Sequence, residues 1–174
     1  MSENVKTWRV RTWYVLHVKP RTEKKVFDFL RVLGTFRYLP LYKKVTKVQR
    51  RKVTRYLPMF PGYVFARLDP EQRERVYGTQ HVVHMITVAN PRQMVHQLRQ
   101  IAHAGRLPEE LTPVTEFSVG EYVRVKAGPF MGIEGYVQRK ANATTLVLVI
   151  DILGQAVEVK LSPSDLEKRD SGGF

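Results

Sequence analysis

The sequence predicts an α+β chain in two parts: an antiparallel sheet with packed helices in split βαβ order, then a small all-β barrel. Three observations predict it. Strand-like and helix-like stretches follow one another as β-α-β-β-α-β-α as far as Gly105. A stretch with two prolines, three acids and no periodicity, Arg106 to Glu116, comes next and reads as a semi-extended linker. From Phe117 the helical period disappears, and short Val-rich segments punctuated by glycine take over. The expected divisions are a domain over 10–105, a linker over 106–116, a second domain over 117–169 and a tail over 170–174.

Trp13 to Lys19 is apolar on both faces, as a central strand is, and Pro20 ends it. Glu23 to Leu33 is an amphipathic helix with Val26, Leu30 and Leu33 in one stripe beside Phe27, while Lys24, Lys25, Asp28 and Arg31 face out. Gly34 suits the position just past its end. Phe36 to Lys47 and Val53 to Leu57 read as two strands of a basic hairpin, its tip near Gln49-Arg50-Arg51-Lys52. Tyr63 to Leu68 is a further strand. Asp69, Pro70 and Glu71 start a helix as N-cap, first-turn proline and first-turn acid, and it ends near Tyr77-Gly78. Val82 to Val88 is a strand. Asn90-Pro91 opens a third helix, striped by Met94, Leu98 and Ile101 with Val95 and Ala102 beside them, and Gly105 stops it.

In the second part, Val123 and Val125 alternate with Arg124 and Lys126, and Gly128, Pro129, Gly132 and Gly135 punctuate. Tyr136 to Lys140, Thr145 to Asp151 and Ala156 to Leu161 are strands, with turns at Asn142 and Gly154. Ser162-Pro163-Ser164-Asp165 is a closing turn, and Ser171 to Phe174 a mobile tail.

The chain has 174 residues, a net charge of +13 and a pI of about 10.2. The charge is unevenly spread. Residues 1–105 carry 21 Lys/Arg against 6 Asp/Glu, a balance of +15, whereas residues 106–174 carry 8 against 10, a balance of −2. A basic first part expects a polyanion, and the asymmetry argues for two units with different partners. Cysteine is absent, which removes disulfides and thiolate metal sites. Met1 to Thr12 has no apolar core of a signal peptide, and the longest apolar run, Leu146 to Ile150, is too short to span a bilayer. A cytoplasmic monomer with no membrane contact is expected; a basic hairpin differs from the amphipathic helix that lies on lipid.

Neither a cofactor nor a catalytic site is expected. His81 and His84 are three apart, and His96 and His103 seven apart on one helix, but neither pair has a metalloenzyme context. No nucleophile–base set, phosphate loop or paired carboxylates stand out.

Two stretches carry binding chemistry. Ten basic and no acidic residues lie between Asp28 and Asp69. Within that run Lys43, Lys44, Lys47, Arg50, Arg51, Lys52 and Arg55 are interleaved with Tyr38, Tyr42 and Tyr56; cations neutralise phosphates and aromatic faces stack on bases. Lys19, Arg21, Lys24 and Lys25 form a second cluster around the first helix start. The other stretch is Leu57-Pro58-Met59-Phe60-Pro61-Gly62-Tyr63-Val64-Phe65. Its prolines forbid a helix, and Gly62 allows a tight turn. It is either a kinked core strand or a kink that presents aromatics to a partner. The residues divide between the two readings, with Val64 and Phe65 as core, Phe60 and Tyr63 as displayed. Pro61 to Leu68 also partly matches the aromatic strand of an RNA-recognition module, but Pro61, Val64 and Leu68 stand where that module needs a cation, a small residue and an aromatic.

Trp13-Tyr14-Val15, Phe60-Pro61-Gly62-Tyr63-Val64 and the run from Gly120 to Gly135 (GEYVRVKAGPFMGIEG), in this order and spacing, resemble the NusG family of bacterial transcription factors over Trp13 to Lys168. The resemblance implies an NGN domain, a linker and a KOW domain in an SH3-like barrel. It implies a non-enzymatic elongation factor whose NGN domain binds the β′ clamp helices of RNA polymerase. The matching positions are Trp13, Tyr14, Phe60, Pro61 and Tyr63. The non-template DNA strand is the nucleic acid implied at Lys19, Arg21, Lys24 and Lys25, and a DNA element or a nascent RNA hairpin is what the resemblance to specialised paralogues implies for recruitment. The KOW barrel of such factors takes a second partner, the ribosomal protein also called NusE or the termination factor Rho. Housekeeping members use an Ile-Phe-Gly-Arg loop there; this chain has Ile152-Leu153-Gly154-Gln155, which argues against Rho and leaves Ile152, Leu153 and Gln155 as the candidate contacts. That departure and the basic hairpin are more similar to specialised paralogues of the RfaH, LoaP and UpxY types, which suppress pausing and act as antiterminators on particular operons. The alternatives are the housekeeping factor itself and an RNA- or ribosome-associated KOW module. The Val-, Ile-, Gly- and Thr-rich second part fits a permanent barrel, without refolding into helices.

Overall fold

The computed structural model describes residues 10–107, 111–114, 120–140 and 143–168. The expected tail, the polar amino-terminal stretch up to residue 9, the turn at Asn142 and the linker positions 108–110 and 115–116 lie outside the described residues. In chain order the elements are β1 (Thr12–Val18), α1 (Glu23–Val32), β2 (Phe36–Tyr38), β3 (Leu41–Val48), β4 (Arg51–Pro58), β5 (Tyr63–Leu68), α2 (Pro70–Gly78), β6 (Val82–Thr87) and α3 (Pro91–Ala104). β7 (Thr112–Val114), β8 (Glu121–Val125), β9 (Glu134–Lys140), β10 (Ala143–Ile150), β11 (Gln155–Leu161) and β12 (Leu166–Lys168) follow. They fall into two compact units, Met1–Leu39 with Pro61–Ala89, and Pro40–Phe60 with Asn90–Phe174.

The first unit is an antiparallel sheet of order β2-β5-β1-β6 with α1 and α2. β1 is interior, as its two apolar faces predict. β5 pairs antiparallel with both β1 and β2, so β1 and β2 run parallel with β5 between them, the split βαβ arrangement. Leu16, Val18, Val64, Ala66, Leu68, Val82 and Met85 from the sheet form a buried core with Val26 and Leu30 of α1 and Val76 of α2. Past α1, Thr35 donates its N–H to the Leu30 carbonyl and Gly34 to that of Arg31, with Gly34 at φ +65°. α2 starts with a full capping box. Gln72 N–H donates to Asp69 Oδ1 at 2.9 Å, and Asp69 N–H donates to Gln72 Oε1 at 3.1 Å.

The expected strand Phe36 to Lys47 is two strands. Pro40 has no N–H to give a ladder, so β2 ends at Tyr38 in the four-stranded sheet and β3 pairs with β4 alone. The β3–β4 ribbon belongs to the second unit, with α3 and an antiparallel sheet of order β12-β8-β9-β10-β11-β7. Val123, Val125, Phe130, Ile133, Leu146, Leu148, Ile150, Val157 and Val159 are buried there. Thr112–Val114, expected as linker, is an edge strand on β11; an edge position tolerates Pro113, and the preceding Leu111 is buried. Asn90 caps α3 through Gln93 N–H, and Met94, Leu98, Ile101 and Ala104 are its buried stripe. Among the described residues no helix is long and apolar enough to cross a membrane.

Candidate binding surfaces

The aromatic turn is held by β1 and α1. Met59 N–H donates to the Pro40 carbonyl at 2.8 Å as β4 ends. Gly62 follows at φ +83°, a conformation glycine adopts without a Cβ clash. Both its backbone groups are held: its carbonyl accepts from Val18 N–H at 2.8 Å, and its N–H donates to Glu23 Oε1 at 2.9 Å. A Cβ on Gly62 would stand 3.5 Å from the His17 ring. Tyr63 lies opposite His17 in the β1–β5 ladder, and the two rings stack with centroids 5.1 Å apart.

The five residues matched to a polymerase contact do not form one surface. Pro61 is exposed and Tyr63 half-buried. Phe60 is 1% exposed, which corrects its expected display; its ring is interior. Trp13 and Tyr14 are adjacent on a strand and so point to opposite faces. Tyr14 packs on the helix-side core, beneath the Arg73 guanidinium 5.8 Å from its ring. Trp13 shares the other face with Tyr63, but at the far end of β1, about 13 Å away. The fully buried pair Val15 and Phe65 lies between them. Trp13 meets Phe36 edge-to-face at 5.1 Å, and Phe36 is 58% exposed. His17, Glu23 and Phe36 were missed from sequence. Strand parity would have found His17, which has the parity of Trp13, but nothing local ties Glu23 to a residue thirty-nine positions on.

The hairpin closes in a two-residue loop, Gln49-Arg50, with φ of +47° and +66°, narrower than the expected four-residue tip. Register divides its side chains. Lys43–Tyr56, Val45–Thr54 and Lys47–Lys52 share one face, and all six are exposed. Tyr42–Leu57 and Thr46–Val53 on the other face are half-buried, with Lys44–Arg55 and Val48–Arg51 exposed between and beyond them. Lys44–Arg55 and Lys47–Lys52 are like-charged cross-strand pairs, a destabilising arrangement that a polyanion relieves. Lys19, Arg21, Lys24 and Lys25 are exposed around the start of α1, with Arg21 at φ +65°.

Ile152, Leu153 and Gln155 are half-buried around Gly154, which is at φ +58°. The turn before them is tied to α3. Asp151 Oδ2 accepts from Gln93 Nε2 at 2.6 Å and from Gln97 Nε2 at 2.5 Å, and Asp151 N–H donates to Gln97 Oε1 at 3.2 Å. Among the described residues no group of three or more His, Cys, Asp or Glu could hold a metal ion.

A split βαβ sheet followed in sequence by a separate all-β sheet defines an α+β protein of two unlike halves. The family profile described as "Transcription termination factor nusG" matches residues 11–102. The "Transcription termination/antitermination protein NusG" of Staphylococcus aureus is 30% identical, covering 97% of this chain and 100% of that one. The protein of the same name from Deinococcus radiodurans is 26% identical, over 90% of this chain and 98% of that one. A solved structure described as "Domain interaction in Thermotoga maritima NusG" matches at 22% identity with a TM-score of 0.48, covering 92% of this chain and 98% of that one. The chain belongs to the NusG family and is a non-enzymatic, NusG-type transcription termination/antitermination factor.

Proposed function

We propose that this factor binds RNA polymerase at the β′ clamp helices, suppresses pausing and promotes processive antitermination on particular operons, to which nucleic acid recruits it through the basic hairpin. The observation that carries the polymerase contact is the Pro61–Tyr63 turn. It offers an exposed proline beside a half-buried Tyr63–His17 stack and is held by hydrogen bonds to both sides of Gly62. A half-buried tyrosine stacked on a neighbouring ring suits a protein interface. Trp13 with Phe36 forms a second, separate apolar contact, and Tyr14 packs on the helix-side core.

The hairpin turns Lys43, Lys47 and Lys52 toward non-template DNA or nascent RNA, with Lys44, Arg50, Arg51 and Arg55 adding to the field around that face and Lys19, Arg21, Lys24 and Lys25 as a second patch. The functional division follows an NGN domain over 10–105, a linker over 106–116 and a KOW domain over 117–169. Ile152, Leu153 and Gln155 of the KOW domain meet the NusE-type ribosomal protein, and Leu153 and Gln155 in place of the aromatic and the arginine argue against Rho. The protein acts as a cytoplasmic monomer.

Capture of a β′ clamp-helix fragment by the intact protein tests the polymerase contact. Retention by wild type and loss with Tyr63→Ala is the expected result; absence of retention by wild type removes the reading. The names of the curated relatives favour a second reading, the housekeeping factor. Stimulation of Rho-dependent termination in a purified system would establish that reading instead.

A further inference from the structure

Glu23 is an acidic side chain buried to 6% exposure in a stretch otherwise rich in exposed cations. It opens α1, where a carboxylate is favoured by the helix's positive end. A carboxylate taken out of water has to be compensated by hydrogen bonds or charge. Its Oε1 accepts the N–H of Gly62 at 2.9 Å, thirty-nine residues along the chain. That bond reaches the one residue of the turn whose φ is positive, and whose carbonyl is already fixed by Val18. With both groups of Gly62 held, the peptide planes on its two sides are fixed, the Pro61–Gly62 plane through the N–H and the Gly62–Tyr63 plane through the carbonyl, and Tyr63 leaves the second directly into its stack on His17.

We propose that Glu23 is the positioning residue of the Pro61–Tyr63 surface. Its carboxylate, delivered by the first turn of α1, locks the turn so that Pro61 and Tyr63 meet a partner already arranged. This rests on the reading of that surface as the polymerase contact. The lock saves the ordering cost that a loose turn would incur on binding. Length matters as well as charge. Aspartate retains the charge but falls short by one carbon–carbon bond, about 1.5 Å. Glutamine retains the reach and an acceptor oxygen, with a neutral bond weaker than a charge-assisted one.

The test uses the full-length chain with Glu23→Ala, Glu23→Asp, Glu23→Gln and Tyr63→Ala. Three quantities are measured: exchange of the Gly62 amide hydrogen, affinity for a β′ clamp-helix fragment, and affinity for a short nucleic acid at fixed salt. Glu23→Ala and Glu23→Asp are expected to speed Gly62 exchange and weaken clamp-helix binding by roughly tenfold or more, the range of a lost charge-assisted hydrogen bond. Glu23→Gln is expected to recover most of both, and nucleic-acid affinity is expected to stay within about twofold. A general folding defect would lower both affinities together, and in that event the Glu23→Gln and Glu23→Asp pair decides: equal binding by the two overturns the proposal. Clamp-helix binding that is unchanged in Glu23→Ala but lost in Tyr63→Ala overturns the role of Glu23 and leaves the surface intact. Binding unchanged in Tyr63→Ala overturns the surface reading, and the positioning role with it.

Discussion

Replacing Lys43, Lys47 and Lys52 together with alanine strips the three cations from the outward face of the hairpin and leaves Lys44, Arg51 and Arg55 on the other. If each lysine neutralises one phosphate, the slope of log affinity against log salt falls by about 2 on a single strand and by about 2.7 on a duplex. Each single-strand contact is worth roughly fivefold between 1 M and 0.1 M salt, so the triple variant loses about a hundredfold at the lower concentration. Tyr56 sits on the same face opposite Lys43 and is 57% exposed. Its substitution by alanine is expected to weaken binding by a factor of about five to a hundred, the worth of one stacked base, without changing the slope. The assay is fluorescence anisotropy with short labelled DNA and RNA across a salt series. The matched triple variant Lys44→Ala, Arg51→Ala, Arg55→Ala is the comparison, with a slope change expected below about 1. Equal slope changes in the two triples would show that net charge, and not the registered face, governs binding. A slope for the first triple within about 0.5 of wild type would remove the phosphate contacts altogether.

Two further outcomes follow from local geometry. Gln49→Asn with Arg50→Gly places the residues that favour positive φ in a two-residue hairpin turn, and is expected to stabilise the ribbon by about 1 kcal/mol. Amide exchange along β3 and β4 should slow by roughly fivefold, at the loss of one tip cation. Gly135 stands where an added Cβ would lie 2.8 Å from the Val147 carbonyl and 2.9 Å from Leu148 Cδ2, so Gly135→Ala forces β9 from β10. A loss of about 1–3 kcal/mol is expected in denaturant unfolding, and an unchanged midpoint would contradict the packing.

The fold was legible because its signals are local. Asp69-Pro70 and Asn90-Pro91 mark helix starts by capping chemistry that the structure reproduces at Gln72 and Gln93. The apolar run after Trp13 reads as interior on both faces, and β1 lies between β5 and β6. The break at Leu39-Pro40 shows in sequence only as a proline, because aromatic and aliphatic residues with strand propensity, Phe36, Tyr38, Leu39, Leu41 and Tyr42, stand on either side of it. Thr112–Val114 gave no strand signal, since three residues with a central proline show no period. The candidate site was legible as a composition and not as a geometry. Which cations share a face depends on the hairpin register, and that depends on a loop of two residues whose own chemistry favours no such turn. The burial of Phe60 and the reach of Glu23 to Gly62 depend on tertiary packing, of which a window of sequence carries no trace.

Calorimetric titration of a β′ clamp-helix fragment into the intact protein tests the polymerase contact most directly, with wild type, Tyr63→Ala and Trp13→Ala compared under one buffer. The account predicts saturable binding that Tyr63→Ala weakens by at least about tenfold, as truncation of a central interface aromatic does. Trp13→Ala, at the other end of β1, should weaken it less. Binding of equal strength in wild type and Tyr63→Ala would contradict the assignment of the Pro61–Tyr63 turn as the surface by which this factor holds the polymerase.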